Sequence, residues 1–242
     1  MVIVLLGAPG AGKGTQAPIL AERLGIPILA SGDLLRSVAA TDTEVGREVA
    51  RVMKRGELVA DPTIVRIFLD RLDAPDAVRG AILDGFPRTS TQAAALDEAL
   101  AERASKVDAA ILIDVPEAEL VQRMTDRMIC RAAGHPYNLR MARPMVPGRC
   151  DLDGSELYRR ADDEEATVRA RLATQLAPLG EVIAHYRRGG VLRSVDGRRS
   201  IEQVASEVLA ALPATPPAAI TPPGSGQEGS ATTGAAAGER GR

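Results

Sequence analysis

Lys13 stands in the run Gly7-Ala8-Pro9-Gly10-Ala11-Gly12-Lys13-Gly14-Thr15, between the apolar stretch Val2–Leu6 and a helical pattern. Glycines let the backbone turn so that successive N–H groups converge on one anion, and a following helix directs its positive end to the same point. Lys13 then reaches the terminal phosphates. The usual phosphate-loop pattern has Ser or Thr directly after the lysine. Here Gly14 intervenes and the hydroxyl comes at Thr15. The bland alternative is a Gly-rich turn between a strand and a helix. The matching elements, in strand–loop–helix order, point instead to a bound nucleoside triphosphate.

The cationic side chains are unevenly chosen: three lysines (Lys13, Lys54 and Lys106) and 27 arginines. Arginine's planar fork suits phosphate and carboxylate. Phosphoryl transfer between two nucleotides needs little covalent chemistry from a protein. It needs two polyanions positioned, the charge on the transferring group neutralised and water excluded. Such a site calls for several arginines from different segments, one lysine and Mg2+. It needs no nucleophilic Ser or Cys and no His base, because the acceptor phosphate is already an anion.

The elements that must hold these residues alternate along the chain. Val2–Leu6, Ile82–Leu83, Ala109–Ile113 and Val191–Val195 read as strands. Lys13–Leu24, Thr63–Leu72, Thr91–Glu102, Pro116–Arg127, Asp163–Arg187 and Ile201–Leu212 read as helices. Continuous apolar strands alternating with helices predict an α/β fold: a central parallel sheet of about five strands flanked by helices in three layers. Two stretches interrupt the rhythm. A charged, helical insert covers about residues 30–59, and a segment from Met128 to Tyr158, rich in Gly, Pro and Arg, has no amphipathic period. A structureless loop of that length is improbable inside a compact domain, so it reads as a small subdomain or a lid, about 126–163. From Pro213 to Arg242 the chain has five Pro, six Gly and seven Ala with one Ile. It cannot bury enough apolar surface to offset ordering, so a folded unit at 1–212 and a disordered tail at 213–242 are expected.

Composition excludes several classes. With 30 basic and 32 acidic residues, the formal charge of −2 gives no global field for a polyanion. Aromatics are 2% of the chain and there is no Trp, which argues against a base-stacking nucleic-acid platform. Two cysteines, Cys130 and Cys150, do not make a secreted disulfide framework. The N-terminal apolar run is too short for a signal peptide or a membrane span. The expectation is a cytoplasmic protein with no membrane or nucleic-acid partner.

The loop GAPGAGKGT, with its displaced threonine, resembles that of the nucleoside monophosphate kinases, adenylate kinase in particular. The similarity continues through Ala30-Ser31-Gly32-Asp33-Leu34-Leu35-Arg36, Asp84-Gly85-Phe86-Pro87-Arg88 with Gln92, and Arg160-Ala161-Asp162-Asp163-Glu164-Glu165. It covers about residues 1–212. It implies ATP, AMP and ADP as partners, Mg2+ with ATP, and a monomer. It also implies that Gly10, Ala11, Gly12, Lys13, Gly14 and Thr15 hold the ATP phosphates, with Arg127, Pro136 and Tyr137 near the ATP and Arg199 offering a backbone contact to adenine. AMP would be held by Ser31, Arg36, the backbone of Glu57, Leu58 and Val59, the stretch Gly85, Phe86, Pro87 and Arg88, and Gln92. Arg123 would brace the transferring group, Arg160 and Arg171 would close on the phosphates, and Asp84 would organise Mg2+ through water. Ser31 stands where Thr is common, and Met128 where many members have a second Arg.

Spacing adds two expectations. Arg123 and Arg127 are four apart on a predicted helix end and so share one face. Arg160 and Arg171 on one continuous helix would be about 16 Å apart, too far for one phosphate. The acidic cluster Asp162–Glu165 suits a helix's first turn, leaving Arg160 on a hinge just before it. Long-lid members resembling this chain often hold a structural zinc on two short ligand pairs. Here Ala133 occupies one ligand position, and His135 is two residues further on. Cys130, His135, Cys150 and Asp153 would complete a tetrahedral site. A metal-free lid with two reduced cysteines is the alternative. For the activity, the alternatives are a kinase for UMP, CMP or GMP, a P-loop ATPase switch, or a zinc-ribbon nucleic-acid binder.

Overall fold

The computed structural model describes residues 1–55, 59–140, 142–159 and 163–213, apart from the side chain of Arg171. The expected tail, beyond Pro213, lies outside the described residues. No helix among the described residues is long and apolar enough to cross a membrane.

The apolar run β1 (Val2–Leu6) is buried along its whole length. Successive strand side chains point to opposite faces, so Ile3 and Leu5 enter one core cluster while Val2, Val4 and Leu6 enter another. Around β1 lie β2 (Ile28–Ala30), β3 (Ala81–Asp84), β4 (Val107–Asp114) and β8 (Leu192–Asp196). Their order is β2-β3-β1-β4-β8, with every pairing parallel. On one face, α1 (Lys13–Leu24), α6 (Glu117–Thr125) and α8 (Ile201–Ala211) contribute Leu20, Leu120 and Val208 to the core. On the other, α4 (Asp61–Leu72) and α5 (Ser90–Glu102) contribute Phe68 and Leu96. The long helix α7 (Glu165–Arg188) serves both: Val168 and Leu172 join the first cluster, Val182 and Tyr186 the second. This is the expected parallel α/β fold.

Several expectations need correction. β2 was not read from the sequence, because three residues carry no period of their own. It becomes a strand by pairing Ile28 with Ile82 and Ala30 with Asp84. The helical insert resolves into α2 (Ser31–Ala39) and α3 (Glu44–Lys54). The segment without a period forms β5 (Arg127–Cys130), β6 (Pro136–Asn138) and β7 (Leu157–Tyr158), an antiparallel sheet in the order β6-β5-β7. Its strands are two to four residues long, too short to show alternation. Arg127 does not share a helix face with Arg123. α6 ends at Thr125, and Arg127 pairs with Asn138 as the first residue of β5. Of the acidic cluster, Asp162 lies outside the described residues and Glu164 is the N-cap of α7, but Asp163 does not serve the helix. The helix starts at Glu165, while Asp163 is fully buried and ion-paired with Arg127.

Candidate active site

The phosphate loop follows β1 at the carboxyl end of the sheet, where open α/β sheets bind ligands. Gly12 is the N-cap of α1 and offers no side-chain acceptor, so the orphan N–H groups of the first turn face an anion site. Gly10 is required by geometry. It has φ +84°, and a Cβ there would stand 2.8 Å from Met124 Cγ. The Lys13 ammonium donates to the carbonyls of Gly7 (2.6 Å) and Ala8 (3.1 Å). Burial pushes its pKa below the ordinary lysine value; the nearby Asp84 carboxylate opposes this and Arg88 adds to it. Asp84, at the end of β3, has its pKa raised by burial, against the pull of Lys13 and Arg88.

A second group of candidate residues, cationic and polar, comes from α2 and the β3–α5 connection. Arg88 donates from Nε to the Gly85 carbonyl (2.7 Å) and from Nη2 to Ser31 Oγ (3.0 Å). Gly85 has φ +76°, and a Cβ on it would lie 2.6 Å from that same hydroxyl. Any larger residue would displace Ser31 from Arg88. Arg36 is paired with Asp33 at 2.5 Å on the exposed face of α2. Gln92 is buried.

A third group comes from α6, β5 and the β8–α8 loop. Arg123 is one-tenth exposed. It reaches Glu119 (2.6 and 3.1 Å) and the Gly197 carbonyl (2.8 Å). The Arg127 guanidinium is gripped by both oxygens of Asp163. Arg199 pairs with Glu207.

These groups line one cleft of about 1200 Å³, from Gly10 through Thr15 to Ser31, Arg36, Val59, Asp84, Gly85, Pro87, Arg88 and Gln92. Arg123, Arg127, Pro136, Tyr137 and Arg199 border it as well. Phe86 is different: its ring is buried and stacks on Phe68, centroids 4.1 Å apart. Its side chain therefore fixes the Gly85–Arg88 stretch from beneath rather than lining the cleft. Glu57, Leu58 and Arg160 lie outside the described residues, as does the side chain of Arg171.

The sequence did not point to Asp61, which holds Gln92, or to the Gly197 carbonyl, which holds Arg123, and it offered Asp163 only as part of an acidic helix start rather than as the partner of Arg127. Asp61 had one signal, an acid before Pro62 at a helix start. Gly197 had none, because its role depends on a residue 74 positions away.

In the small sheet, Cys130, His135, Cys150 and Asp153 bring one donor atom each to within 4.8 Å of one another. His135 Nδ1 is 3.3 Å from Cys150 Sγ and 3.5 Å from Asp153 Oδ2. Burial opposes ionisation of the Cys130 thiol, but the Ser155 hydroxyl (2.9 Å) and the Ala133 N–H (3.3 Å) outweigh it and bring the thiol down to about 7.

Comparison with known proteins agrees with this geometry. The sequence profile "Adenylate kinase" matches residues 5–191. An adenylate kinase of Archaeoglobus fulgidus is 47% identical over 212 residues, 88% of this chain and 98% of that one. One from Thermodesulfovibrio yellowstonii is 44% identical over 88% of this chain and 99% of its own. One from Staphylococcus aureus is 43% identical over 86% and 97%. With a glycine-rich loop between β1 and α1, a cleft lined by Lys13, Arg88 and Arg123, and this similarity over most of its length, the chain belongs to the adenylate kinase family.

Proposed function

We propose that the cleft holds ATP and AMP together and that the chain catalyses ATP + AMP ⇌ 2 ADP, serving adenine nucleotide homeostasis and salvage. The observation that carries this reading is a single cleft lined by two sets of residues suited to anions, Lys13 with its loop and Arg88 with Ser31, with Lys13 and Arg88 both close enough to favour the charged form of the Asp84 carboxylate. A phosphate switch would need only the first set. In the reaction an oxygen of the AMP phosphate forms a bond to the γ-phosphorus. The bond from that phosphorus to the β-phosphate oxygen breaks, and its electron pair leaves with ADP. The protein supplies position and charge. Lys13 and the loop N–H groups hold the donor phosphates, Ser31, Arg36 and Arg88 the acceptor, and Arg123 the group in transit. Arg160 and Arg171 close on the phosphates.

The insert at about 30–59 and the segment 126–163 are read as the two parts that close over the nucleotides and exclude water. The residues fit Mg2+ with ATP: Asp84 is a half-buried carboxylate in the cleft, with no hydrogen bond to its side chain among the described residues, and Thr15 offers a hydroxyl nearby on the loop. When bound, Mg2+ neutralises phosphate charge. By resemblance to its family we take the chain to be a cytoplasmic monomer acting on free nucleotides; no helix among the described residues is long and apolar enough to cross a membrane.

The test is ADP production from ATP with AMP, GMP, CMP or UMP as acceptor, with and without Mg2+. Two ADP per ATP, with AMP favoured and no inorganic phosphate released, supports the reading. Preference for UMP or CMP, or phosphate release without AMP, overturns it. A pH profile adds a second check. The alkaline limb of kcat/KM for ATP should fall below the pH at which an ordinary lysine, near 10.5, loses its proton, because burial disfavours the charged form of Lys13. Asp84→Asn removes the charge that helps retain this proton, so the limb should move lower still.

The donor set Cys130, His135, Cys150 and Asp153 fits a closed structural zinc site, two sulfurs with one nitrogen and one oxygen. Bound there, zinc would cross-link the short strands of the small sheet. Protein purified without chelator should contain about one zinc per chain, measured by elemental analysis. His135→Ala should release it and lower the unfolding temperature. Zinc-free protein with unchanged stability would favour a lid held by hydrogen bonds alone.

A further inference from the structure

We propose that Asp61 sets the acceptor-base preference by locking which way round the Gln92 amide lies, an inference that rests on the acceptor site read above. Gln92 is 6% exposed and borders the cleft. Its Nε2 donates to Asp61 Oδ1 at 2.6 Å, and its Oε1 accepts from the Arg88 backbone N–H at 2.7 Å. An ionised carboxylate only accepts, and a backbone N–H only donates. Turning the amide over would set oxygen against carboxylate and N–H against N–H, so the two neighbours allow one orientation.

Asp61 is itself held in place. Its Oδ2 accepts from the Thr89 hydroxyl at 3.1 Å, and that hydroxyl accepts from the Gln92 backbone N–H at 3.1 Å while capping α5. The circuit joins the start of α4 to the start of α5 and leaves Gln92 one free N–H and one free oxygen lone pair. A 6-aminopurine presents a donor beside an acceptor on its pairing edge; a 6-oxopurine presents the reverse order. A freely turning glutamine would serve both, whereas the locked amide serves one. Asp61 also borders the cleft, but both of its carboxylate oxygens are engaged by Gln92 and Thr89, so it acts through Gln92 and is a positioning residue.

Asp61→Asn tests this, because asparagine can donate as well as accept and so releases the lock with little change of shape. With ATP as donor, the ratio of kcat/KM for AMP to that for GMP should fall about tenfold, equivalent to about 1.4 kcal/mol, while KM for ATP stays constant. Thr89→Val removes the second anchor on the carboxylate and should lower the ratio in the same direction by less. Thermal unfolding of each variant shows that the fold persists; if Asp61→Asn does not fold, Thr89→Val carries the test. An unchanged ratio, or KM values for ATP and AMP rising together, overturns the proposal. Wild-type protein that prefers CMP or UMP to AMP overturns the acceptor-site reading itself, before any variant is compared.

Discussion

Replacing Lys13 with methionine is expected to lower kcat by at least about 10²–10³-fold, the scale on which losing one preorganised donor to developing charge acts. The fold should survive. Lys13 follows the glycine cap of α1, and its ammonium is held by only two loop carbonyls, at Gly7 and Ala8. Methionine fills similar volume, so the change is chiefly electrostatic. Circular dichroism and the unfolding midpoint should stay close to wild type, while coupled-assay turnover collapses. Near-normal turnover would refute the role assigned to this lysine. The Lys13 proton is held against a burial penalty, so the ammonium already sits where a polyanion gains most from it.

Arg123→Ala should cost a similar factor, about 10²–10³-fold in kcat/KM. Three hydrogen bonds to Glu119 and Gly197 fix this guanidinium at the cleft before any substrate arrives, so it needs little reorganisation during the reaction. Arg123→Lys separates charge from geometry. A lysine keeps the positive charge but cannot reach both Glu119 and the Gly197 carbonyl with the same fork, so it should recover only part of the loss. Full recovery by lysine would show that charge alone matters and that the anchoring is incidental. Glu119→Gln keeps one acceptor and should cost much less than either change at Arg123.

How much of this was legible in the sequence follows from the range of each interaction. The phosphate loop could be read because its glycines, lysine and flanking strand and helix are contiguous. The central sheet could be read because β1, β3 and β4 carry apolar runs between helical periods, and β8, though interrupted by Arg193 and Ser194, stands between two such periods. β2 could not, since only pairing with β3 makes Ile28–Ala30 a strand. The helix expected at Pro116–Arg127 ran two residues too far, because its end depends on Arg127 joining β6 and reaching Asp163, 36 residues later. The acidic cluster looked like a helix start for the same reason: its composition suits a first turn, yet burial turned Asp163 inward to an arginine.

The sequence by itself determined the order of the longer strands and helices, the glycine-rich loop between β1 and α1, the supply of arginines and the cysteine spacing in the small sheet. These rest on periodicity and on contacts within a few residues. The tertiary structure alone decided which distant group holds each candidate side chain: Asp163 for Arg127, the Gly197 carbonyl for Arg123, and Asp61 for Gln92; the Glu119–Arg123 pair, four residues apart on one helix, is local. It also brought Ser31 to Arg88 across 57 residues. Hydrogen bonds and ion pairs act over a few ångströms, and sequence spacing carries little information about which distant groups packing will bring that close.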